Sequence, residues 1–406
     1  MSDPLNLISQ WLQELLTGWG LADWLVAVIV SALGVLVLCT FVLVMAIFLV
    51  WVERKVVARF QDRLGPNRLG PYGLIQPFAD IIKLLIKEDL TPGGADKFIY
   101  NLAPILALAT VLLLWAVIPL SPYVVGSDIN VAVLYIVAIG AIATLGIIMA
   151  GWASNNKYAL LGAFRTVAQM VSYEVPMVIV LLVPVILARS MGIQDIASAQ
   201  TPFWNWYIFI APVAAVIFLI TSIAEIGRAP FDLNEAESEI VAGFHIEYSG
   251  MKFGLFYAGE LLHALTIGAL FATLFLGGWS GPFVEELPFL GIFYLFIKAF
   301  LIYYVIMWIK YSLPRIRIDH MLNFNWKFLT PVSLALVIVV AILDRLLINS
   351  PEWVYWLGML SANVVVALVS LSLARRFARP KRQLVAEPKP VARPENAPVQ
   401  SAQSGD

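Results

Sequence analysis

The sequence predicts an all-helical membrane protein, and three observations support this class: the composition, the length of the apolar runs and the distribution of the basic residues. Hydrophobic residues make up 61% of the 406 residues, whereas Asp, Glu, Lys and Arg together make up only 13%. Soluble domains carry roughly twice that charged fraction. A soluble fold is therefore excluded, and the net charge of −1 matters less than where the individual charges lie.

The apolar runs are long enough to cross a bilayer as helices. A hydrocarbon core of about 30 Å needs about 20 residues at a rise of about 1.5 Å each. Nine segments meet this length, which predicts a polytopic protein of about nine transmembrane helices. Their expected bounds are residues 22–52, 99–120, 130–151, 169–189, 205–224, 253–276, 288–310, 328–348 and 353–374.

The basic residues predict the orientation of these spans. Lys and Arg concentrate in the connections that follow the odd-numbered spans, whereas the connections around Ser127, Ala197, Gly281 and Ser350 contain neither. By the positive-inside rule the basic connections are cytoplasmic. We therefore expect the N-terminus outside and the C-terminus in the cytoplasm.

The two ends of the chain differ from the spans in composition. The segment before residue 22 has no Lys or Arg, unlike a cleavable signal peptide, and no transit peptide is visible. We therefore expect a retained first span and a bacterial plasma (inner) membrane. Residues 1–374 should form a single membrane domain, and residues 375–406, which are basic and then Pro-rich, should form a disordered cytoplasmic tail.

The connection of residues 53–98 is patterned like a folded element. Between Gly73 and Glu88, polar side chains recur at helical spacing opposite apolar ones, which predicts an amphipathic helix lying in the membrane interface. The preceding RLGPNRLGPYG sets glycines and prolines among arginines, which indicates a rigid loop with exposed cations. Anchoring to anionic lipids is the simple explanation of these cations, and contact with a partner protein is the alternative.

Carboxylates crowd the connection of residues 225–252, whose only full positive charges are Arg228 and Lys252. Acids held near one another and near hydrocarbon resist simultaneous ionisation, so some should hold or exchange protons near neutral pH. This pattern favours proton handling. The acids are Glu225, Asp232, Glu235, Glu237, Glu239 and Glu247.

Two further acids fall inside predicted spans. Glu174 and Glu260 would be costly facing lipid, so both should face protein or water, and both are candidates for a proton relay. Pro176 removes a backbone donor beside Glu174 and loosens the helix there. Lys298, in the seventh span, is a counter-ion or a proton-relay lysine.

The sequence argues against a metal or cofactor bound by this chain alone. Its only cysteine is Cys39, and it has three histidines, which does not favour an iron–sulfur cluster or a haem. Glu260 and His263 form one Glu-x-x-His pair, whereas a di-iron site needs a second pair from other helices. No Gly-rich nucleotide fingerprint is present, so a nucleotide would have to bind elsewhere.

Three stretches resemble one family. ERKVVARFQDRLGPNRLGPYGLIQPFADIIKLLIKED, from Glu53 to Asp89, resembles the first cytoplasmic loop of the H subunit of NADH-quinone oxidoreductase, the respiratory complex I subunit 1 family. SYEVP at Ser172 to Pro176 resembles its fourth span. Glu225 to Gly250, with APFDLNEAESEIVAGFHIEYSG, resembles its third cytoplasmic loop. The matches follow the family's order, and its core of eight spans makes the ninth a C-terminal addition.

The resemblance implies a membrane subunit of a proton-translocating NADH-quinone oxidoreductase, a translocase that is an enzyme only within its complex. The loops 53–98 and 225–252 would form part of a quinone chamber and its partner interface, through Glu53, Arg54, Arg63, Gly65, Pro66, Asn67, Arg68, Asp80, Arg228, Phe231 and Phe244. An acidic channel would carry protons from that chamber, through Glu174, Glu225, Asp232, Glu235, Glu237, Glu239, Glu247 and Glu260.

The same resemblance implies the partners. Quinone, ubiquinone or menaquinone, would be the substrate, and the partners would be the peripheral-arm subunits, which carry flavin and iron–sulfur clusters, the other membrane-arm subunits and the lipid bilayer, with no nucleic acid. One alternative is the equivalent subunit of a membrane-bound hydrogenase or a ferredoxin–quinone reductase. Another, of a different class, is a proton-coupled secondary transporter. In a purely structural reading, several acids only pair with Arg228, Arg165 or the basic loop.

Overall fold

The computed structural model describes residues 4–20, 22–233 and 243–378, and this part of the chain is helical without a β-strand. The helices are α1 Pro4–Gly18, α2 Asp23–Phe60, α3 Gln76–Ile86, α4 Lys97–Leu114, α5 Ala132–Ala153, α6 Lys157–Ala188, α7 Ile193–Ala199, α8 Tyr207–Ile210, α9 Pro212–Ile226, α10 Gly250–Phe275, α11 Leu290–Ser312, α12 Ile318–Phe324, α13 Thr330–Leu347 and α14 Glu352–Ala378. A π-helical turn, Asn325–Leu329, joins α12 to α13.

Among the described residues, eight helices are long and apolar enough to cross a membrane: α2, α4, α5, α6, α10, α11, the pair α12–α13, and α14. The all-helical, polytopic prediction is confirmed. The predicted fifth span, 205–224, is instead broken at Ala211 into α8 and the 15-residue α9. Pro212 causes the break, because it lacks an N–H and disfavours helical backbone at the residue before it.

The predicted amphipathic helix is also present, as α3. It starts at Gln76, three residues later than expected, because Gly73 lies in a turn with φ +77°. A Cβ on Gly73 would lie 2.6 Å from the Pro66 carbonyl oxygen, so only glycine lets the loop fold back here. Gly65 has φ +68° for the same reason, and its loop packs against α2. The glycines and prolines therefore fix the path of the basic loop before α3.

The central helix is α10, which packs against α2, α3, α4, α7, α9 and α11. Most of its apolar stretch is buried within the protein rather than exposed to lipid. Small residues allow this packing: a Cβ on Gly268 would lie 2.6 Å from the Ala299 carbonyl oxygen of α11. Close contact between backbones is the usual way in which membrane helices associate.

The connections between the spans lie on two faces. We call basic face the one that holds residues 61–96, 227–249 and 313–317. We call opposite face the one that holds residues 115–131, 189–206, 276–289 and 348–351. The ninth span, α14, packs on α8, α9 and α13 at the edge of the bundle. The predicted tail from residue 379 onward lies outside the described residues.

Candidate functional site

Four charged groups meet inside the protein near the basic face. Glu53, at the end of α2, is 5% exposed and accepts hydrogen bonds from Lys310 Nζ at 2.8 Å and from the Tyr311 hydroxyl at 2.6 Å. Arg228, after α9, places Nη2 at 3.5 Å from Glu53 Oε2 and Nε at 3.2 Å from Glu260 Oε1. Two acids and two cations thus balance, as buried charges must. We call Glu53, Arg228, Glu260 and Lys310 the charge cluster.

Arg228 is the centre of this cluster. Only 1% of its side chain is exposed, and its guanidinium lies over the Tyr303 ring at 5.9 Å. Burial alone would lower the pKa of Arg228, but the carboxylates of Glu53 and Glu260 outweigh it, so the pKa lies above its usual value. Gly227, at φ +74°, ends α9 and turns the chain so that Arg228 enters the bundle.

A cavity of about 90 Å³ adjoins the charge cluster. Its polar lining is Glu225, Glu260, His245 and His263, and we call it the acid cavity. The volume is sufficient for more than one water molecule, and polar walls make water favourable there. A smaller cavity shares Glu225 and His263 with it and extends toward the opposite face between apolar side chains.

Helix α6 places Glu174 beside this cavity. Glu174 is half-buried and close enough to Glu225 for the two charges to interact. The helix is fixed against the end of α9, because the fully buried Gln169 donates from Nε2 to the Ala224 carbonyl at 2.6 Å. The structure therefore brings together Glu174, Glu225 and Glu260, which come from three different helices.

An apolar cavity of about 270 Å³ lies between α2, α3 and α10. At its rim, Arg54 Nη1 donates to Asp80 Oδ2 at 2.5 Å, which links α2 to the amphipathic α3. Phe253 and Tyr257 of α10 line both this apolar cavity and the acid cavity. The two cavities therefore share a wall, and Glu260 stands one helical turn beyond Tyr257.

The basic loop forms a cleft of about 680 Å³ next to the apolar cavity, with Arg54 common to both. Arg63 and Arg68 are exposed, and Arg63 donates from Nε to the Gln61 side chain at 2.7 Å. The remaining walls of this loop cleft are Leu64, Gly65, Pro66, Asn67 and Gln76. Most of the interface residues suggested by the sequence thus lie in one place.

Other predicted residues have structural neighbours. Glu247 accepts a hydrogen bond from Asn156 Nδ2 at 2.6 Å, away from the acid cavity. Phe231 packs on Tyr173, and Phe244 packs on Phe256, so both rings are buried. Asp232 is half-buried. Glu235, Glu237 and Glu239 lie outside the described residues.

Sequence reasoning missed four members of the site. Lys310 and Tyr311 read as the ordinary end of a span, and nothing local marked Glu53 as their partner. His245 was assigned to a loop, yet it lines the acid cavity, and His263 lines both cavities. Burial lowers the pKa of His245, although Glu260 acts in the other direction. Histidines at carboxylate-rich span ends could have been a signal.

Lys298 does not join the acids. Its ammonium group binds three backbone carbonyl oxygens on the opposite-face side of the bundle, instead of a carboxylate.

Comparison with known proteins agrees with this arrangement. The model of the NADH dehydrogenase family matches residues 33–341. Similar proteins named as the H subunit of NADH-quinone oxidoreductase include one from Dehalococcoides mccartyi (strain CBDB1), 48% identical over 75% of this chain and 84% of its own length, and one from Brevibacillus brevis, 42% identical over 80% and 94%. A protein from Syntrophobacter fumaroxidans, named as the second H subunit of NADH-quinone oxidoreductase, is 42% identical over 83% of this chain and 99% of its length. The chain belongs to the family of the NADH-quinone oxidoreductase H subunit.

Proposed function

We propose that this chain carries a quinone passage and the start of a proton route in a proton-translocating NADH-quinone oxidoreductase. The observation that supports this proposal most directly is the shared wall of Phe253 and Tyr257, with an apolar cavity on one side and the acid cavity on the other. The names of the similar proteins favour this complex over a hydrogenase or a transporter.

The apolar cavity suits the isoprenoid tail of a quinone. Its walls are mainly aliphatic and aromatic, and it opens between a spanning helix and the interfacial helix α3, where a lipid-soluble substrate arrives. The Arg54–Asp80 pair at its rim marks the boundary with the loop cleft. We infer that the tail occupies the apolar cavity and that the headgroup points toward the loop cleft and a partner subunit.

The partner completes the quinone site. Electrons come from flavin and iron–sulfur clusters in peripheral subunits, since this chain has a single cysteine and cannot supply the thiolates of a cluster. The exposed Arg63 and Arg68 suit acidic groups of such a partner, because guanidinium groups bind carboxylates in pairs of hydrogen bonds. In this proposal the basic face is cytoplasmic and the membrane is a bacterial plasma membrane.

The acid cavity suits proton transfer linked to quinone reduction. Reduction to quinol takes two electrons and two protons, and the electrons add negative charge on the far side of the shared wall. Glu260, tied to Arg228, is the acid nearest that wall, and Glu225 and Glu174 follow it into the bundle. Each transfer between neighbouring acids moves one proton through water or a histidine, and leaves the balanced charge cluster in place.

The test of the quinone passage fills the apolar cavity. Ala258 lines it, so Ala258→Phe should block an isoprenoid tail and raise KM for a long-tailed quinone more than for a short-tailed one. NADH oxidation by a soluble artificial acceptor should not change in the assembled complex. The matched control is Leu301→Phe, on the exposed side of α11. Equal KM values for Ala258→Phe and the wild type would place the tail elsewhere, without bearing on the acids.

A further inference from the structure

Lys298 of α11 is a charged side chain that the proposed route does not use. Its Nζ donates to the carbonyl oxygens of Leu276 at 2.7 Å, Gly278 at 2.9 Å and Ser280 at 2.7 Å. A neutral amine has two N–H groups, whereas an ammonium has three, so three acceptors describe a cation. The Trp206 ring lies 4.3 Å from the same nitrogen and covers it. We call the three carbonyl groups the carbonyl cradle.

The surroundings of the carbonyl cradle are closed by a second buried polar side chain. Gln200 is fully buried and donates from Nε2 to the Thr273 carbonyl at 2.9 Å, while its Oε1 accepts from the Gly277 N–H at 2.9 Å. The end of α10 is thus satisfied by protein groups. A chain of water molecules is not needed there to complete its hydrogen bonds.

The carbonyl cradle lies at the outer end of the proposed proton route. Following α10 from Glu260, the lining of the cavities changes from His263 to Leu270 and Leu274, and Leu276 of the cradle comes two residues later. Leu181 of α6 and Phe218 of α9 narrow the same region, where the free volume falls to about 20 Å³. This is about enough for a single water molecule. We call Leu181, Phe218, Leu270 and Leu274 the apolar girdle.

We propose that Lys298, held in the carbonyl cradle behind the apolar girdle, closes the acid cavity toward the opposite face, so that its protons cannot cross this chain directly. The inference rests on the proposed proton route. A fixed cation in a region of low dielectric repels an approaching proton, and positive groups exclude protons from other pores in this way. Protons in the acid cavity must then leave sideways, toward other membrane subunits.

The test measures passive proton leak. The whole complex is placed in proteoliposomes with a trapped pH dye, a potassium diffusion potential is imposed, and neither NADH nor quinone is added. Lys298→Met keeps the length of the side chain and removes its charge, so proton flux should rise several-fold above the wild type. Lys298→Arg should restore a tight membrane. Arg345→Gln, which removes an exposed charge at the same end of α13, should not leak.

Two results would overturn the proposal. If assembled Lys298→Met complexes melt at a lower temperature but do not leak, Lys298 only caps the end of α10. If Lys298→Met does not assemble, Leu274→Ala decides: it widens the apolar girdle while the cation stays, so the membrane should remain tight, and a leak would contradict the cation as the barrier. Because the assay uses no quinone, failure of the proposed route in turnover experiments gives a separate result.

Discussion

At the scale of single residues, Arg228 determines whether the buried charges of this chain are compensated. It links Glu53 of α2 to Glu260 of α10, and both carboxylates lie where water is scarce. A buried ion pair contributes little net stability compared with apolar side chains, but removing one partner leaves an unpaired charge. The function of Arg228 is therefore to keep Glu53 ionised and to place Glu260 beside the acid cavity.

We expect Arg228→Gln to destabilise the subunit by about 3–5 kcal/mol, the usual cost of breaking a buried pair. The loss should appear as a smaller amount of assembled complex on native gels and a lower melting temperature. Glu53→Gln in the same chain removes the carboxylate that lost its partner, so the double variant should be more stable than Arg228→Gln alone. A double variant as unstable as the sum of both single variants would show that the two residues are not coupled.

The members of the charge cluster explain why only part of the site could be predicted. Crowded charges in an apolar chain indicated Glu174, Glu225 and Glu260 from the sequence. Lys310 is 257 residues from Glu53, and no periodicity or motif relates positions so far apart. Their meeting depends on how α2 and α11 pack around α10, which is a property of the whole bundle.

At the scale of helices, α14 is joined to the broken fifth span by polar contacts, although it lies beyond the residues that the family model matches. The break before Pro212 leaves the Ile210 carbonyl without the N–H of a continuous helix. Asn363 of α14, 1% exposed, donates from Nδ2 to this oxygen at 3.2 Å, and Trp356 donates to Asn205 Oδ1 at 3.2 Å. An unpaired carbonyl would be costly inside a membrane.

We therefore expect Asn363→Leu to destabilise the assembled complex by about 1 kcal/mol, the scale of hydrogen bonds between membrane helices. The measurement is the temperature of half-inactivation of NADH:quinone activity, which should fall while activity at low temperature is unchanged. Ser372→Leu, at an exposed position of α14, is the matched control and should have no effect. Equal inactivation temperatures for Asn363→Leu and the control would mean that α14 does not support the fifth span.

The same helices show what sequence patterns reveal about the fold. Apolar length located every spanning segment, and helical spacing located α3 to within three residues. The break at Ala211 was missed because hydropathy averages over it, although Pro212 was the local signal. The exchange of partners across the break, from an intrahelical N–H to Asn363, depends on tertiary contact alone.

At the scale of the molecule, the proposal joins three compartments in one line. The loop cleft and the apolar cavity share Arg54, the apolar and acid cavities share Phe253 and Tyr257, and Lys298 lies at the outer end. α10 runs along most of this line, with Glu260 near one end and Leu274 near the other. A rigid, buried α10 would hold these parts at fixed distances during turnover.

The central claim is that the acids of this chain carry protons when quinone is reduced, and quinone-coupled proton uptake in proteoliposomes tests it most directly. Glu225→Gln and Glu260→Gln keep the shape and the hydrogen bonds of the side chain but cannot titrate. In complexes that assemble on native gels and oxidise NADH with an artificial acceptor at the wild-type rate, each variant should lower proton uptake at least about tenfold. Glu→Asp at the same positions should retain more uptake. Wild-type uptake in both assembled Gln variants would contradict the claim and leave the acids a structural role.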